Sequence, residues 1–189
     1  NNSHYLLIAA AKILGVNDVH FLNISDGYVE NTDTTRSQIV YFIRKVKPEI
    51  IITFDPQRHY DLYAVGLEHD DHQTTGSIVL SAAYPRADNR FYYPEQFEKD
   101  ASLTPFKPQF VYLFKFHNTE NVFSNPNSKV IVKLTEEEME YKRNAFLQHK
   151  SQYRLPSEPI DMVNKISLSL GKASGTQYAE WFTRVVIYH

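Results

Sequence analysis

No cysteine occurs anywhere in the 189 residues. That excludes a disulfide framework and every thiolate metal site. It fits a reducing compartment, so the cytoplasm is the expected location. An excess of positive charge is missing too: 20 Lys and Arg stand against 22 Asp and Glu, a formal net charge of −2. Without a basic footprint, no nucleic-acid partner is expected. No apolar run approaches the roughly 20 residues a membrane span needs, and the first residues lack a signal-peptide pattern. Internal repeats, low-complexity tracts and interdomain linkers are absent. The composition, 42% hydrophobic and 22% charged, is that of an ordinary globular protein, and the length suits a single domain over 1–189 with a substantial core. The chain opens without Met on "NNSHYLLIAAAKILGV". That is a helix already under way, so either processing or a missing first part is expected.

Leu6, Leu7, Ala10, Ala11 and Leu14 recur at helical spacing, with Gly15 as the stop. "VHFLNI" has strand character and ends in the turn-like Ser25-Asp26-Gly27. Ile39, Phe42, Ile43 and Val46 mark a second helix closed by Pro48. "EIIITF" follows, apolar at successive positions, as in a strand covered on both faces. Helix, strand, helix, strand predicts an α/β fold with a mostly parallel sheet. In such sheets the ligand crevice lies beyond the carboxyl ends of the strands. The loops to watch are therefore 25–30 and 55–71. A helix is expected from about His72 to Pro85. Residues 85–108, rich in aromatics and proline, read as a long irregular loop. "QFVYLFKF" and "KVIVKL" alternate as strands. Thr135 and Glu138 fit a capping box for a helix reaching about Gln152, and "GTQYAEWFTRVVIYH" ends the chain with a further strand.

Few histidines are available, eight in all, yet two of them fall with two aspartates in His69-Asp70-Asp71-His72. One reading is plain: acidic residues sit well at helix N-termini, so Asp70 and Asp71 would cap and the histidines would be solvated. The other is chemical. His is a favoured zinc ligand, and a neighbouring Asp can orient an imidazole through its other N–H. A second His can stabilise the oxygen side of a carbonyl under attack. Position after a buried strand favours the chemical reading. A catalytic zinc takes three protein ligands, and this cluster supplies at most two. His59, Asp55 and Asp61 share the loop, but nothing in their spacing singles them out.

Four stretches, in order along most of the chain, carry a family resemblance. "AAAKILGVNDVHFLNISDG", "IRKVKPEIIITFDP", "EHDDH" and the pair "YKRNAFLQHKSQY" and "QYAEWF" resemble segments of the PIG-L / LmbE-like zinc-dependent N-acetylglucosaminyl deacetylases. In "EHDDH", Asp70 stands where the family has proline in its His-Pro-Asp-His signature. The resemblance implies a Rossmann-like three-layer sandwich and an N-deacetylase acting on an N-acetylglucosamine-type conjugate. It implies that His72 binds Zn2+, His69 stabilises the oxyanion, Asp71 orients a histidine and Asp26 contacts sugar hydroxyls. Each role has a plainer counterpart: Asp26-Gly27 as a turn only, Asp71 as a cap only.

One signature is lacking. The family's Ala-His-Pro-Asp-Asp-Glu, which brings a His and an Asp to the metal and an Asp as base, has no counterpart here; His4 has the wrong neighbours. The match starts where the family's second helix would be, so the first strands are missing from this chain. The expectation is an upstream segment that supplies them, because their loss would expose apolar sheet edges. The alternative is a degenerate, metal-free carbohydrate-binding or scaffold protein. Gln148 to Gln152 read as helix-end packing and capping, and Arg86 and Arg90 as candidates for substrate contact. Tyr178, Trp181 and Phe182 read as packing of the closing segment. Neither the sugar nor the oligomeric state is legible.

Overall fold

The computed structural model describes residues 2–57, 69–114, 128–149 and 157–187. Along them run α1 (Asn2–Ile13), α2 (Asp33–Val46), β1 (Ile50–Phe54), α3 (Asp70–Ser81), α4 (Glu95–Lys99), β2 (Phe110–Phe114), β3 (Lys129–Leu134), α5 (Glu136–Phe146), α6 (Glu158–Ala173) and β4 (Tyr178–Val186). The strand order is β1-β2-β4-β3. The α/β class is as expected. The sheet, however, is mixed: β1 and β2 run parallel, while β2 and β4 run antiparallel. Strand–helix alternation enforces parallel crossovers only while it lasts. Here α5 and α6 follow one another before β4, and the returning strand enters the sheet the other way. Among the described residues no helix is long and apolar enough to cross a membrane.

The chain divides into two compact units, Leu22–Val130 with Phe182–His189, and Asn1–Phe21 with Ile131–Trp181. In the first unit, Val40 and Ile43 of α2 pack with Val111 and Leu113 of β2 and with Ala82, Ala83 and Ala87. Thr32 starts α2 with a capping box to Thr35, and Lys47 ends it in the left-handed region at φ 54°. Val46, expected on the buried face, is largely exposed because the helix buries Arg44 instead. The guanidinium of Arg44 donates to the carbonyls of Arg86, Ala87, Asn89 and Tyr92 and to Gln96 Oε1. Burial pulls its pKa down from the usual arginine value, against the opposing pull of Glu95. This clasp corrects the expectation of a long irregular loop over 85–108: the segment contains α4 and winds around one buried cation, whose forked donors meet four inward-turned carbonyls and one side-chain amide oxygen.

Two further expectations change in this unit. Among the described residues β1 is an edge strand, and separately Ile50 and Ile52 are 43% and 58% exposed, so the Ile51 and Thr53 side is the one these residues cover. An apolar run alone does not say whether both faces are covered. Residues 19–24 form no strand, because no described strand offers them a ladder partner.

In the second unit, α1 ends where expected: Gly15 takes φ +74°, and the Val16 N–H closes onto the Ala11 carbonyl at 3.0 Å. Thr135 and Glu138 form the expected capping box. Met139, Val163 and Tyr178 make the core. Lys142 Nζ donates to Glu180 Oε1 at 2.6 Å, which joins the "YKRNAF" and "QYAEWF" stretches. Helix α6, with Val163, Ser167 and Leu170 buried, was not read from the sequence.

Candidate active site

The cluster begins α3, and the cap is the histidine rather than an aspartate. His69 holds extended backbone angles, φ −62° and ψ 132°, and its Nδ1 accepts the Asp71 N–H at 3.2 Å. A neutral imidazole that accepts at Nδ1 carries its proton on Nε2. His69 therefore caps the helix with one nitrogen and offers a donor with the other, on an exposed side chain.

That arrangement frees the Asp71 carboxylate from capping. Its Oδ2 accepts the Gly27 N–H at 2.7 Å and its Oδ1 the Val29 N–H at 3.3 Å. Gly27 lies in, and Val29 just after, a turn in which the Tyr28 N–H bonds the Ser25 carbonyl at 3.1 Å. Gly27 sits third in that turn at φ +81°, the conformation a type II turn reserves for glycine. A second fastening, Asn31 Nδ2 to Ser77 Oγ at 3.1 Å, ties the far end of the loop to α3. The exposed Asp26 is carried by this turn to the start of α3: Asp26, His69 and Asp71 place ligand atoms within 4.8 Å of one another. The two loops predicted to matter thus meet, and three of the four expected site residues stand together.

His72 lies a short step away. Its ring is half-buried and stacked on Phe54, the last residue of β1, with centroids 4.1 Å apart and planes 7° from parallel. The rings of His69 and His72 are 5.9 Å apart. The helix reaches this position because Gly76 has no side chain: a Cβ there would lie 2.2 Å from the Phe54 carbonyl oxygen. Phe54 and Gly76 were not singled out in the sequence. The signal for Gly76 was a glycine inside a helical pattern, which often marks close backbone approach. Phe54 had only its place at a strand's carboxyl end.

Other candidates fall elsewhere. His59 and Asp61 lie outside the described residues, as do Ser151 and Gln152. Asp55 is buried, and its carboxylate accepts the Gln57 N–H at 2.9 Å. Arg86 bonds Ser81 and lies over Tyr92, and Arg90 lies over Phe97, so both pack within their own segment. Trp181 Nε1 donates to Ser174 Oγ at 2.8 Å and Tyr178 is buried, in keeping with a packing role for the closing segment.

Comparison with known proteins agrees with this picture. The model of the PIG-L family, GlcNAc-PI de-N-acetylase, matches residues 7–83, a span that contains Asp26 and the whole His69–His72 cluster. The chain is 29% identical over 175 residues to diacetylchitobiose deacetylase of Thermococcus kodakarensis, covering 90% of the chain and 58% of that protein. It therefore spans about three fifths of the length of this curated relative. Among solved structures, N,N'-diacetylchitobiose deacetylase from Pyrococcus horikoshii, complexed with its inhibitor MPG, superposes with TM-score 0.78 at 19% identity, over 98% of this chain and 63% of that one. A conserved protein from Thermus thermophilus gives 0.70 at 20% identity, over 100% and 75%. The 4-carboxy-2-hydroxymuconate hydratase of Pseudomonas putida gives 0.74 at 19% identity, over 100% and 72%. The structural likenesses establish the fold. The family match and the homologous deacetylase bear out the resemblance read from the sequence.

Proposed function

We propose that the chain serves the hydrolytic removal of an N-acetyl group from an N-acetylglucosamine-type amino sugar conjugate, with one Zn2+ as cofactor. The observation that carries this reading is the meeting of Asp26, His69 and Asp71 beside His72 at the carboxyl end of β1, all inside the family-matched span.

Imidazole and carboxylate groups are the ligands zinc takes in the absence of thiolates; Asp26, His69 and Asp71 could themselves gather round an ion, but the proposal gives the metal to His72 and the other three to the substrate. His72, held in orientation by the face of Phe54, would bind the ion. The remaining ligands and the carboxylate base would come from the upstream segment that the resemblance implies. When bound, zinc supplies Lewis acidity toward the acetyl carbonyl and toward water. The chain's own residues act on the substrate. His69 donates its Nε2–H to the carbonyl oxygen as that oxygen gains charge, a contribution of about 3 kcal/mol on the scale of one oxyanion donor. Asp71 meets the ring through its backbone N–H, which His69 Nδ1 accepts at 3.2 Å; its carboxylate, 3.9 Å from that nitrogen, does not bond it. Asp26, exposed on its turn, accepts hydroxyl hydrogens of the sugar.

A second reading is a metal-free carbohydrate-binding protein of the same fold. What favours it is that the Asp26 loop is already fastened by protein groups alone. A likeness to a hydratase also shows that this fold hosts other chemistry. Metal analysis of the full-length protein, purified without chelator, separates the two. The proposal expects close to one divalent ion per chain; less than about 0.1 equivalent refutes it.

A further inference from the structure

We infer that Asp71 is the positioning residue of the sugar-contacting loop, and that it sets substrate binding through Asp26. Three observations lead there. First, the cap position is filled by His69 Nδ1, so the Asp71 side chain is not spent on its own helix. Second, both carboxylate oxygens accept backbone N–H groups from the turn 42 and 44 residues away, Val29 and Gly27. Third, one of those amides lies in, and the other just after, the turn that holds Asp26 within 4.8 Å of His69 and Asp71. A carboxylate taking two backbone amides fixes position and rotation of the peptide units it binds, because each bond is charge-assisted and directional. Without it the turn keeps its own Ser25–Tyr28 bond, while the fastenings beyond it, Asn31 to Ser77 and Glu30 and Asn31 to Thr35 and Arg36, hold the far end of the loop and not the turn. The side chain of Asp26 then samples positions away from His69, and the sugar loses a contact prearranged for it.

This role differs from that of a carboxylate working only on His69. Behind the histidine alone, Asp71 would govern turnover and leave the loop untouched. As a loop latch it governs affinity, and its effect vanishes once Asp26 is gone. The inference rests on the reading of Asp26 as a sugar contact, while its structural part does not.

The test uses the full-length protein with Asp71→Asn, Asp26→Ala and the double variant. Asp71→Asn is close to isosteric but points an NH2 group at one of the two backbone donors. Hydrogen exchange is followed at Gly27 and Val29, with the buried Val79 in the last turn of α3 as the folding control. Exchange at Gly27 and Val29 is expected to rise about tenfold or more in Asp71→Asn, with Val79 unchanged. On N,N'-diacetylchitobiose, Asp71→Asn is expected to raise KM about tenfold, and to change KM less than about twofold when Asp26 is already Ala. Unchanged exchange at Gly27 and Val29 overturns the latch. So does a KM effect that multiplies with that of Asp26→Ala. If wild-type protein releases no acetate from any amino sugar, the proposed function fails, and the exchange measurement still decides the latch.

Discussion

The imidazole of His72 lies flat on the ring of Phe54, 4.1 Å between centroids, and Phe54 in turn meets Phe114 at 4.5 Å. A ring so seated has its in-plane nitrogens directed along fixed lines, which is what a metal ligand requires. His72→Ala is expected to reduce bound divalent metal below about 0.1 equivalent per chain. Phe54→Leu keeps the proposed ligand His72 but removes its platform, and metal affinity is expected to fall about tenfold. Titration against a competing chelator measures both.

His69 caps α3, and the proposal gives it a second duty as oxyanion donor; substitution can separate the two. His69→Ala removes the cap and the Nε2–H donor together. It is expected to lower turnover by about a hundredfold to a thousandfold and to cost about 1 kcal/mol of stability. His69→Asn restores a capping side chain. It should recover the stability, measured by urea unfolding, and leave turnover low. Metal content stays at the wild-type level in both.

The close approach of α3 to β1 depends on one missing methyl group. In Gly76→Ala the new Cβ meets backbone, the Phe54 carbonyl at 2.2 Å, which has no rotamer by which to move aside. The gain in helix propensity, about 1 kcal/mol, is outweighed by overpacking of about 1–3 kcal/mol and a displaced helix start. A lower Tm together with weaker metal retention is the expected result. A raised Tm would show that the helix stands further off than the structure has it.

Lys45 and Asp100 give the fold a dependence on pH. Lys45 Nζ lies 2.8 Å from Asp100 Oδ2. The hydrogen bonds from Lys45 and Ser102 hold the Asp100 carboxyl at about 2, below its ordinary 3.8. The same bond raises the Lys45 pKa above its ordinary 10.5. A depressed carboxyl stabilises the fold above its unfolded pKa, and that gain is lost as pH falls from about 4 toward 2. A raised amine stabilises below its unfolded pKa, and that gain is lost as pH climbs past 10.5. The Tm difference between wild type and Asp100→Asn should therefore be flat from about pH 5 to pH 9 and shrink toward both ends. Because Lys45 is exposed and Asp100 only half-buried, the difference should also diminish with added salt.

How much of this was legible depends on the distance over which each feature is encoded. The cluster His69–His72 is local, and the rule that α/β sites form beyond strand ends placed it correctly next to the Asp26 turn. What that turn is tied to was not legible: the Asp71–Gly27 bond spans 44 residues, and no spacing rule links them. The role of His69 as cap was missed because capping rules favour aspartate there. The direction of β4 was missed because alternation of apolar residues is the same for parallel and antiparallel strands. Helix α6 has Val163 and Leu170 on its buried side, but the fully buried Ser167 between them interrupts the apolar stripe. The clasp of Arg44 was invisible, since a lone arginine late in an amphipathic helix reads as a solvated charge near the C-terminal dipole.

Acetate release from N,N'-diacetylchitobiose by metal-loaded full-length protein, measured for wild type and His69→Ala side by side, tests the central claim most directly. The account predicts steady release of acetate by the wild type, abolished by chelator and restored by Zn2+, and a rate lower by about a hundredfold or more in His69→Ala at unchanged metal content. No acetate from the metal-loaded wild type across amino sugar conjugates, or equal rates in the two proteins, would contradict it.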